Sequence, residues 1–418
     1  MATRSSAKVT AVGLSSSRVQ LGLIAMVLIL AMGTWFSASA VAPALERVWH
    51  ITQMQSVWLT SSVQIGFVVG AVGSAALNLP DRIPPQIVAG SASIGAALTT
   101  AAIAIWVDAF LPAIILRILT GMFLAGVYPV AMQLMVTWFR PLRRGIALGV
   151  LLGALALGSA VPHLLRGFEQ LPWQGVLIFA AIFAGLGGCI SIIAVRPGPH
   201  GEQGPVRLRP GYAIEMFKEL GPRLANLGYF GHMWELYALW TWLPMFLLAI
   251  RPADEAAVGL ITFVTIGIAG GLGCLLGGWA SNGLGRGRAA GYAMILSGLC
   301  CLLSPMLVDS PWPVVIVLLV VWGAAVIADS PVFSTALSEV ADRRYTGTAL
   351  TTQTAIGFLL TLVTINMVPV MAELIGWQYA YVVLAPGPIL GAVAMRMYRT
   401  RIESKSLANH KTMTSSQR

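Results

Sequence analysis

The sequence predicts an all-α integral membrane protein with twelve transmembrane helices in two related six-helix bundles. Composition gives the first observation: of 418 residues, 57% are hydrophobic and only 10% are charged, whereas soluble domains carry about 25% charged residues. The second is a series of twelve apolar runs, each near the roughly 20 residues that a helix needs to cross a bilayer. The third is a basic loop that occurs once in each half. The runs lack two-residue alternation, which excludes a transmembrane barrel.

The twelve apolar runs are numbered here as spans 1 to 12 in chain order. Basic residues precede the first run, and Ala38-Ser39-Ala40 resembles a signal-peptide cleavage site. A cleaved signal has an apolar core of about 7–15 residues, and this run is longer, so we interpret it as an uncleaved span. The predicted spans are 21–45, 56–79, 86–106, 112–138, 145–166, 174–194, 224–249, 257–280, 289–308, 313–337, 347–370 and 379–398.

Orientation follows from the lysines and arginines, because cytoplasmic loops carry an excess of both. With the N-terminus inside, nearly all of the 26 basic residues lie in cytoplasmic segments. The exceptions are Arg47, Arg166 and Arg251 outside, and Arg117 within span 4. This distribution predicts a multi-pass protein of a bacterial inner membrane with both termini cytoplasmic. It also explains the net charge of +10 without a nucleic-acid partner.

The longest internal connection, residues 196–223, separates two similar halves. Arg143-Arg144 precedes Gly145 at the start of span 5, and Arg343-Arg344 precedes Gly347 at the start of span 11. Repeated six-helix halves are a known transporter architecture that holds substrate near the membrane midplane. Within the connection, Ala213–Leu220 is predicted to form a short surface helix. The predicted segments are a cytoplasmic tail 1–20, bundles 21–195 and 224–398, the linker 196–223 and a second tail 399–418.

The loop between spans 8 and 9 contains glycines, an asparagine and arginines at fixed spacing: Gly278, Asn282, Gly285, Arg286 and Arg288. With these residues the chain resembles the major facilitator superfamily over essentially its whole length, with Asn where Asp is commoner. The resemblance implies transport of a small molecule by alternating access in a lipid bilayer, with no cofactor and a monomeric state. The copy after span 2 keeps Asp81 and Arg82 but has Pro84 and Pro85 in place of the expected Gly and basic residue.

Within that superfamily, the segments Gly231–Tyr237 and Ala328–Ser330 resemble the nitrate/nitrite and cyanate-type permease branch. However, spans 2 and 8 lack the arginines expected of nitrate carriers, and span 2 offers Gln64 instead. Span 5 lacks the Gly-Pro pattern of drug/proton antiporters. These differences disfavour a nitrate carrier and weaken the antiporter interpretation.

Two acids lie well inside predicted spans, Glu235 in span 7 and Asp329 in span 10. A charge at mid-helix costs about 2.5–3.5 kcal/mol on insertion scales, so these carboxylates are functional candidates. His232 lies three residues before Glu235 and shares its helix face. Because histidine changes charge near neutral pH, the pair is a candidate proton relay, with Asp329 as the alternative carrier. The competing interpretation is hydrogen bonding that only stabilises helix packing.

Arg117 in span 4 has two interpretations. It either extends to the membrane interface, or it binds a substrate anion or pairs with an acid in the cavity. The resemblance implies that spans 1, 4, 7 and 10 line that cavity, which favours the second interpretation. Gln64 and Gln353 are expected to bridge the halves. The remaining substrate-binding candidates are Trp35, Ser39, Trp234, Tyr237 and Ser330.

The leading hypothesis is a secondary transporter that imports a small organic or inorganic anion together with protons. The alternatives are a proton-coupled exporter of a drug or metabolite, and a membrane receptor or assembly subunit without transport. The sequence contains no metal-ligand cluster, no nucleotide-binding loop and no serine nucleophile with an ordered partner, so no enzyme is predicted. The four cysteines, Cys189, Cys274, Cys300 and Cys301, lie in apolar runs and suggest packing rather than metal binding or disulfides.

Overall fold

The structure, a computed structural model, describes residues 16–77, 83–139, 144–166, 172–200, 211–251 and 254–404. Within these ranges, twelve helical segments are long and apolar enough to cross a membrane, which confirms the predicted fold class. The spans are Ser17–Ala40, Met54–Ser74, Pro85–Trp106, Phe110–Trp138, Gly145–Leu165, Trp173–Ala194, Leu220–Ile250, Ala256–Leu284, Arg286–Leu307, Trp312–Val340, Thr346–Ile375 and Trp377–Glu403.

Several spans consist of more than one helix. Span 4 is divided into Phe110–Leu124 and Tyr128–Trp138, and span 10 into Trp312–Ala328 and Ser330–Val340. Span 8 has a π-helical turn at Val264–Ala269. The helices are Ser17–Ala40, Ala42–Trp49, Gln53–Ala76, Pro85–Trp106, Phe110–Leu124, Tyr128–Trp138, Arg144–Arg166, Trp173–Ala194, Tyr212–Glu215, Leu220–Ile250, Glu255–Phe263, Gly270–Leu284, Arg286–Leu303, Trp312–Ala328, Ser330–Val340, Thr346–Ile375 and Pro386–Tyr398.

The described residues pack into two compact units. Those within Met1–Pro205 and Ala253–Gly271 form the first unit, and those within Val206–Pro252 and Leu272–Arg418 form the second. The first unit thus includes the beginning of span 8, which packs against span 5. The predicted division into six-helix halves at the linker stays a prediction.

The same pattern of helix neighbours occurs within each unit. In the first unit, span 1 packs against spans 5 and 6, and span 3 packs against spans 4 and 6. In the second, span 7 packs against spans 11 and 12, and span 9 packs against spans 10 and 12. This repetition is the structural counterpart of the similar basic loops in the sequence.

Glycines spaced four residues apart bring two helix backbones together in each unit. Small residues at this spacing permit close approach between membrane helices. A Cβ atom at any of these glycines would collide with the facing backbone, so the glycine is required for the contact. The close contacts are Gly66 with Ile118 and Gly70 with Met122 in the first unit, and Gly273 with Ala324 and Gly277 with Ala328 in the second.

Three breaks between consecutive helices are each followed by a proline near the start of the next helix. The first span was predicted to continue to residue 45, but its helix ends at Ala40 and a short helix, Ala42–Trp49, follows. Pro43 lacks the amide hydrogen that would continue the helix, which explains the correction. Pro129 and Pro331 occupy the second position of the later helices in spans 4 and 10, where a missing amide hydrogen is tolerated.

The linker contains the short helix Tyr212–Glu215, followed by a 3₁₀ turn at Met216–Lys218. It therefore begins one residue before the predicted segment and ends short of it. The buried Tyr212 hydroxyl accepts a 2.8 Å hydrogen bond from the Asp342 amide, and its ring packs on Tyr345. Burial is the main cause that raises the pKa of Tyr212. These contacts attach the linker to the loop between spans 10 and 11.

Some sequence predictions fall outside the described residues. They concern Asp81, Arg82 and Arg143, together with most of the two tails and the middle of the linker.

Candidate proton and solute sites

A buried cluster of three side chains joins the middle of span 7 to the break in span 10. His232 Nδ1 lies 2.8 Å from Asp329 Oδ1, and His232 Nε2 lies 2.7 Å from the Ser330 hydroxyl oxygen. His232 and Asp329 are each 2% exposed, and the imidazole packs against the rings of Tyr229 and Phe333. The imidazole thus connects a carboxylate to a hydroxyl that can donate or accept.

The break in span 10 determines where Asp329 lies. Asp329 is the residue between the two helices of this span. Pro331 has no amide hydrogen, so the Ile327 carbonyl loses its usual helical partner. The Cys274 thiol of span 8 lies 3.6 Å from that oxygen and donates to it. Interrupted membrane helices are a common location for ion and substrate sites, because their ends leave polar groups inside the bilayer.

Glu235 is held by a separate set of donors. Its Oε1 accepts 2.6 Å hydrogen bonds from the Ser297 hydroxyl and the Trp322 indole, and lies 3.2 Å from the Cys301 thiol. The residue is 1% exposed. The described contacts therefore pair His232 with Asp329 rather than with Glu235, and the predicted proton relay stays a prediction. Although the two side chains share a helix face, the histidine turns to the carboxylate of span 10 and Glu235 turns to spans 9 and 10.

The sequence did not single out the three partners of Glu235. Ser297 and Cys301 lie four residues apart, so they share one face of span 9. That spacing is a weak signal, because most residues in an apolar helix have a neighbour at the same distance. Trp322 carried no signal beyond its position inside span 10.

Arg117 is fully buried in the first unit, with 0% exposure. Its Nε donates to the Leu59 carbonyl of span 2 at 2.9 Å. Nη1 donates to the Thr34 carbonyl of span 1 at 2.7 Å and lies 3.3 Å from the Ser37 hydroxyl. Nη2 donates to the Trp35 carbonyl. The guanidinium therefore joins span 4 to spans 1 and 2.

This arrangement conflicts with the first predicted interpretation of Arg117, and the second, an anion-binding residue of a cavity, stays a prediction. The side chain does not extend to the interface, because it is completely enclosed. Each of its three nitrogens is engaged by the protein, and the planar guanidinium fork suits several carbonyls at once. Four of its five N–H donors are directed at spans 1 and 2.

The polar candidates of the first unit lie along the contact between spans 1 and 2. Ser39 and Thr60 place their hydroxyl oxygens 2.5 Å apart. Trp35 packs on Phe67 with ring centroids 5.1 Å apart. Gln64 is 0% exposed, and neither its amide oxygen nor its nitrogen has a hydrogen-bond partner among the described residues.

The aromatic candidates of the second unit lie in interior packing. The Trp234 indole donates to the Val383 carbonyl at 3.4 Å. Tyr237 packs on Phe358 of span 11, with centroids 5.1 Å apart. Gln353 is 1% exposed, and its amide nitrogen lacks a partner in the described part of the chain. The expectation that Gln64 and Gln353 link the halves stays a prediction.

The loop between spans 8 and 9 is organised around Arg286. Its guanidinium forms a 3.1 Å ion pair with Glu339 of span 10 and donates to the Ser281 hydroxyl at 2.8 Å. Glu403 accepts hydrogen bonds from the Arg286 and Gly287 amides at 2.6 and 3.1 Å. Gly285 has a φ of 86°, which favours glycine. A carboxylate thus caps the first turn of span 9.

The other predicted loop residues are less engaged. The Gly278 carbonyl accepts a hydrogen bond from the Ser281 hydroxyl at 2.9 Å. Asn282 Oδ1 lies 3.5 Å from Arg286 Nη1. Asn282 and Arg288 are both exposed. No group of three or more metal-ligating side chains is found in the part of the chain that the structure describes.

Twelve spans, helix packing repeated in each unit and buried ionisable clusters define a multi-pass membrane protein of the transporter class. The chain belongs to the Major Facilitator Superfamily, whose family profile matches residues 23–248 and 225–415. The two matched stretches extend over nearly the whole chain, and membership supports a secondary transporter. A comparison with curated proteins finds no significant match.

Proposed function

We propose that this chain imports a small polar solute together with protons across a bacterial inner membrane by alternating access. The family supports secondary transport. The observation that supports proton coupling is the buried cluster of His232, Asp329 and Ser330 at the break in span 10. Ionisable residues inside membrane spans typically mark ion pathways and proton relays.

The proton is assigned to Asp329 and His232 rather than to Glu235. In this pair a carboxylate oxygen lies 2.8 Å from a ring nitrogen, a distance across which a proton can pass. The Ser330 hydroxyl satisfies either form of the ring, because it both donates and accepts. Glu235 instead has three donors on one oxygen, which favours a fixed structural state.

Solute and orientation complete the proposal. The solute is proposed to be a small organic or inorganic anion that enters with its proton. The resemblance to the nitrate/nitrite and cyanate-type branch rests on Gly231–Tyr237 and Ala328–Ser330, which include the cluster itself.

Both termini are proposed to be cytoplasmic. A cysteine at position 205 in a cysteine-free background should resist labelling from outside intact cells, and rapid labelling there would reverse the orientation.

The test of coupling uses proteoliposomes and a panel of labelled small carboxylates and inorganic anions. Wild-type protein should accumulate a panel member when the outside is acidic. Asp329→Asn should lose this accumulation by at least about tenfold, because the amide cannot take up a proton. The same variant should still exchange solute in a counterflow assay without a pH gradient.

Asp309→Asn is the matched control, because Asp309 is exposed between spans 9 and 10. It should accumulate solute at the wild-type rate. If Asp329→Asn accumulates normally while Glu235→Gln loses accumulation, the proton site lies in span 7. If wild-type protein moves no panel member under either condition, the proposed solute class is wrong.

A further inference from the structure

Gln64 stands out among the buried polar side chains of the first unit. The residue is 0% exposed, and both ends of its amide lack a hydrogen-bond partner among the described residues. Buried polar groups in proteins are nearly always paired, and each exception needs an explanation. The hydroxyls of Thr100, Thr262 and Thr265 in the described part of this unit also lack a partner. Among its described residues, however, only Gln64 has both the oxygen and the nitrogen of a side-chain amide unpaired.

Contacts on either side place Gln64 at the face of span 2 that meets span 1. Thr60 lies one turn before it and pairs with Ser39. Phe67 lies one turn after it and packs on Trp35. Because residues three and four apart share a helix face, Gln64 lies between a hydroxyl pair and an aromatic pair. Binding sites for small molecules combine apolar walls with a few polar groups in this way.

The chemistry of the amide restricts what it can recognise. A glutamine presents a carbonyl acceptor beside an amino donor and carries no charge. Its full complement is a planar edge that offers one donor next to one acceptor. A carboxamide has such an edge, and so does a protonated carboxylic acid. An anion cannot supply the donor, and the guanidinium of Arg117 is already engaged by carbonyls of spans 1 and 2.

We propose that Gln64 is a solute-recognition residue that binds the donor–acceptor edge of a neutral small molecule, either a carboxamide or a protonated carboxylic acid. This inference rests on the proposed function, because it assumes that the protein binds a solute. It also refines that function: a carboxylate that enters with its proton is neutral at the point where Gln64 binds it.

The experiment measures binding to the purified full chain by saturation-transfer NMR, without any transport step. The probes are propionamide, propionic acid at acidic and alkaline pH, and butanone, which has a similar shape but no donor. Wild-type protein should bind at least one donor–acceptor probe about tenfold more tightly than butanone. If propionic acid binds only at acidic pH, the solute is an acid. If propionamide alone binds, the solute is an amide.

Gln64→Leu should abolish this preference while leaving the protein at least as stable in the absence of probe. Removing an unpaired buried polar group costs little, whereas removing a paired one is destabilising. Thr120→Val is the control, because the Thr120 hydroxyl is paired with Thr99 in the same unit at 2.8 Å. It should keep the preference for the donor–acceptor probe within about twofold.

Three results would overturn the inference. They are equal binding of propionamide, propionic acid and butanone, an unchanged preference in Gln64→Leu, and a lower melting temperature of Gln64→Leu without probe. If no probe binds at all, the inference is overturned in the same way as by equal binding of the three probes. A protein that shows the Gln64-dependent preference but accumulates nothing under a pH gradient would refute proton-coupled import and leave this inference standing.

Discussion

Spans 4 and 10 share a backbone arrangement but differ in chemistry. Each is divided into two helices, each has a proline at the second position of its later helix, and each is approached by a glycine pair from another span of the same unit. The break in span 4 runs through Ala125 and Val127, which are buried and apolar, whereas the break in span 10 holds Asp329. The repeat thus provides the same break twice and places an ionisable group in one copy.

The buried charges differ between the units in the same way. Arg117 in the first unit is paired with backbone carbonyls, which do not change charge at any physiological pH. Asp329 in the second is paired with another ionisable side chain, that of His232. A permanently charged residue with fixed partners stabilises structure, whereas a titratable pair has two states. The comparison therefore motivates two proposals, a structural role for Arg117 and a switching role for Asp329.

The largest effect is expected from placing an acid in the apolar break. Val127→Asp should lower the free energy of unfolding by about 3 kcal/mol, because it places a carboxylate at a fully buried apolar position. Unfolding in mixed micelles measures it. Val127→Asn is the control and should cost less, since it adds polarity without charge. Equal stability of Val127→Asp and wild type would show that the two breaks have similar surroundings.

Arg117→Lys tests the structural role of the first unit's charge. A lysine keeps the charge but loses the planar fork, so about 2 kcal/mol of stability should be lost with the hydrogen bonds to spans 1 and 2. The melting temperature of the purified protein measures this. An unchanged melting temperature with weaker solute binding would return Arg117 to the role of an anion-binding residue.

Glu235→Gln should cost less than about 1 kcal/mol, because the amide oxygen can still accept from Ser297 and Trp322. Uptake driven by a pH gradient should remain near the wild-type rate. Glu235→Leu is the comparison, and it should be clearly less stable because it strands buried donors. Loss of uptake in the Gln variant alone would give Glu235 the switching role.

The smallest effect is expected at Glu403. Glu403→Gln weakens the carboxylate cap on the Arg286 and Gly287 amides, so about 0.5 kcal/mol of stability should be lost. Salt should screen the difference between the variant and wild type. A difference that persists at high salt would mean that the cap is structural rather than electrostatic.

The sequence predicted those features of the structure that depend on a single segment of the chain. The number and positions of the spans follow from the apolar runs. The early end of span 1 was missed because a hydropathy pattern does not register the missing amide hydrogen of Pro43. The candidates Glu235, Asp329 and Arg117 were found because a buried charge is rare. The partners of these residues could not be predicted, because the pairing of His232 with Asp329 depends on how spans 7 and 10 pack. The hydrogen bonds of Arg117 could not be predicted either, because their acceptors are mainly backbone carbonyls, which every residue carries.

The missing amide hydrogen at Pro331 also has a mechanical consequence. A helix that lacks one rung of its hydrogen-bond ladder bends more easily at that point than a continuous helix does. In span 10 the flexible point coincides with Asp329, and the 2.8 Å contact with His232 of span 7 acts as a brace across it. Breaking that brace would lower the bending stiffness of the span at the residue that we propose carries the proton. Loss of the contact between Asp329 and His232 would thus act at the point where span 10 bends most easily.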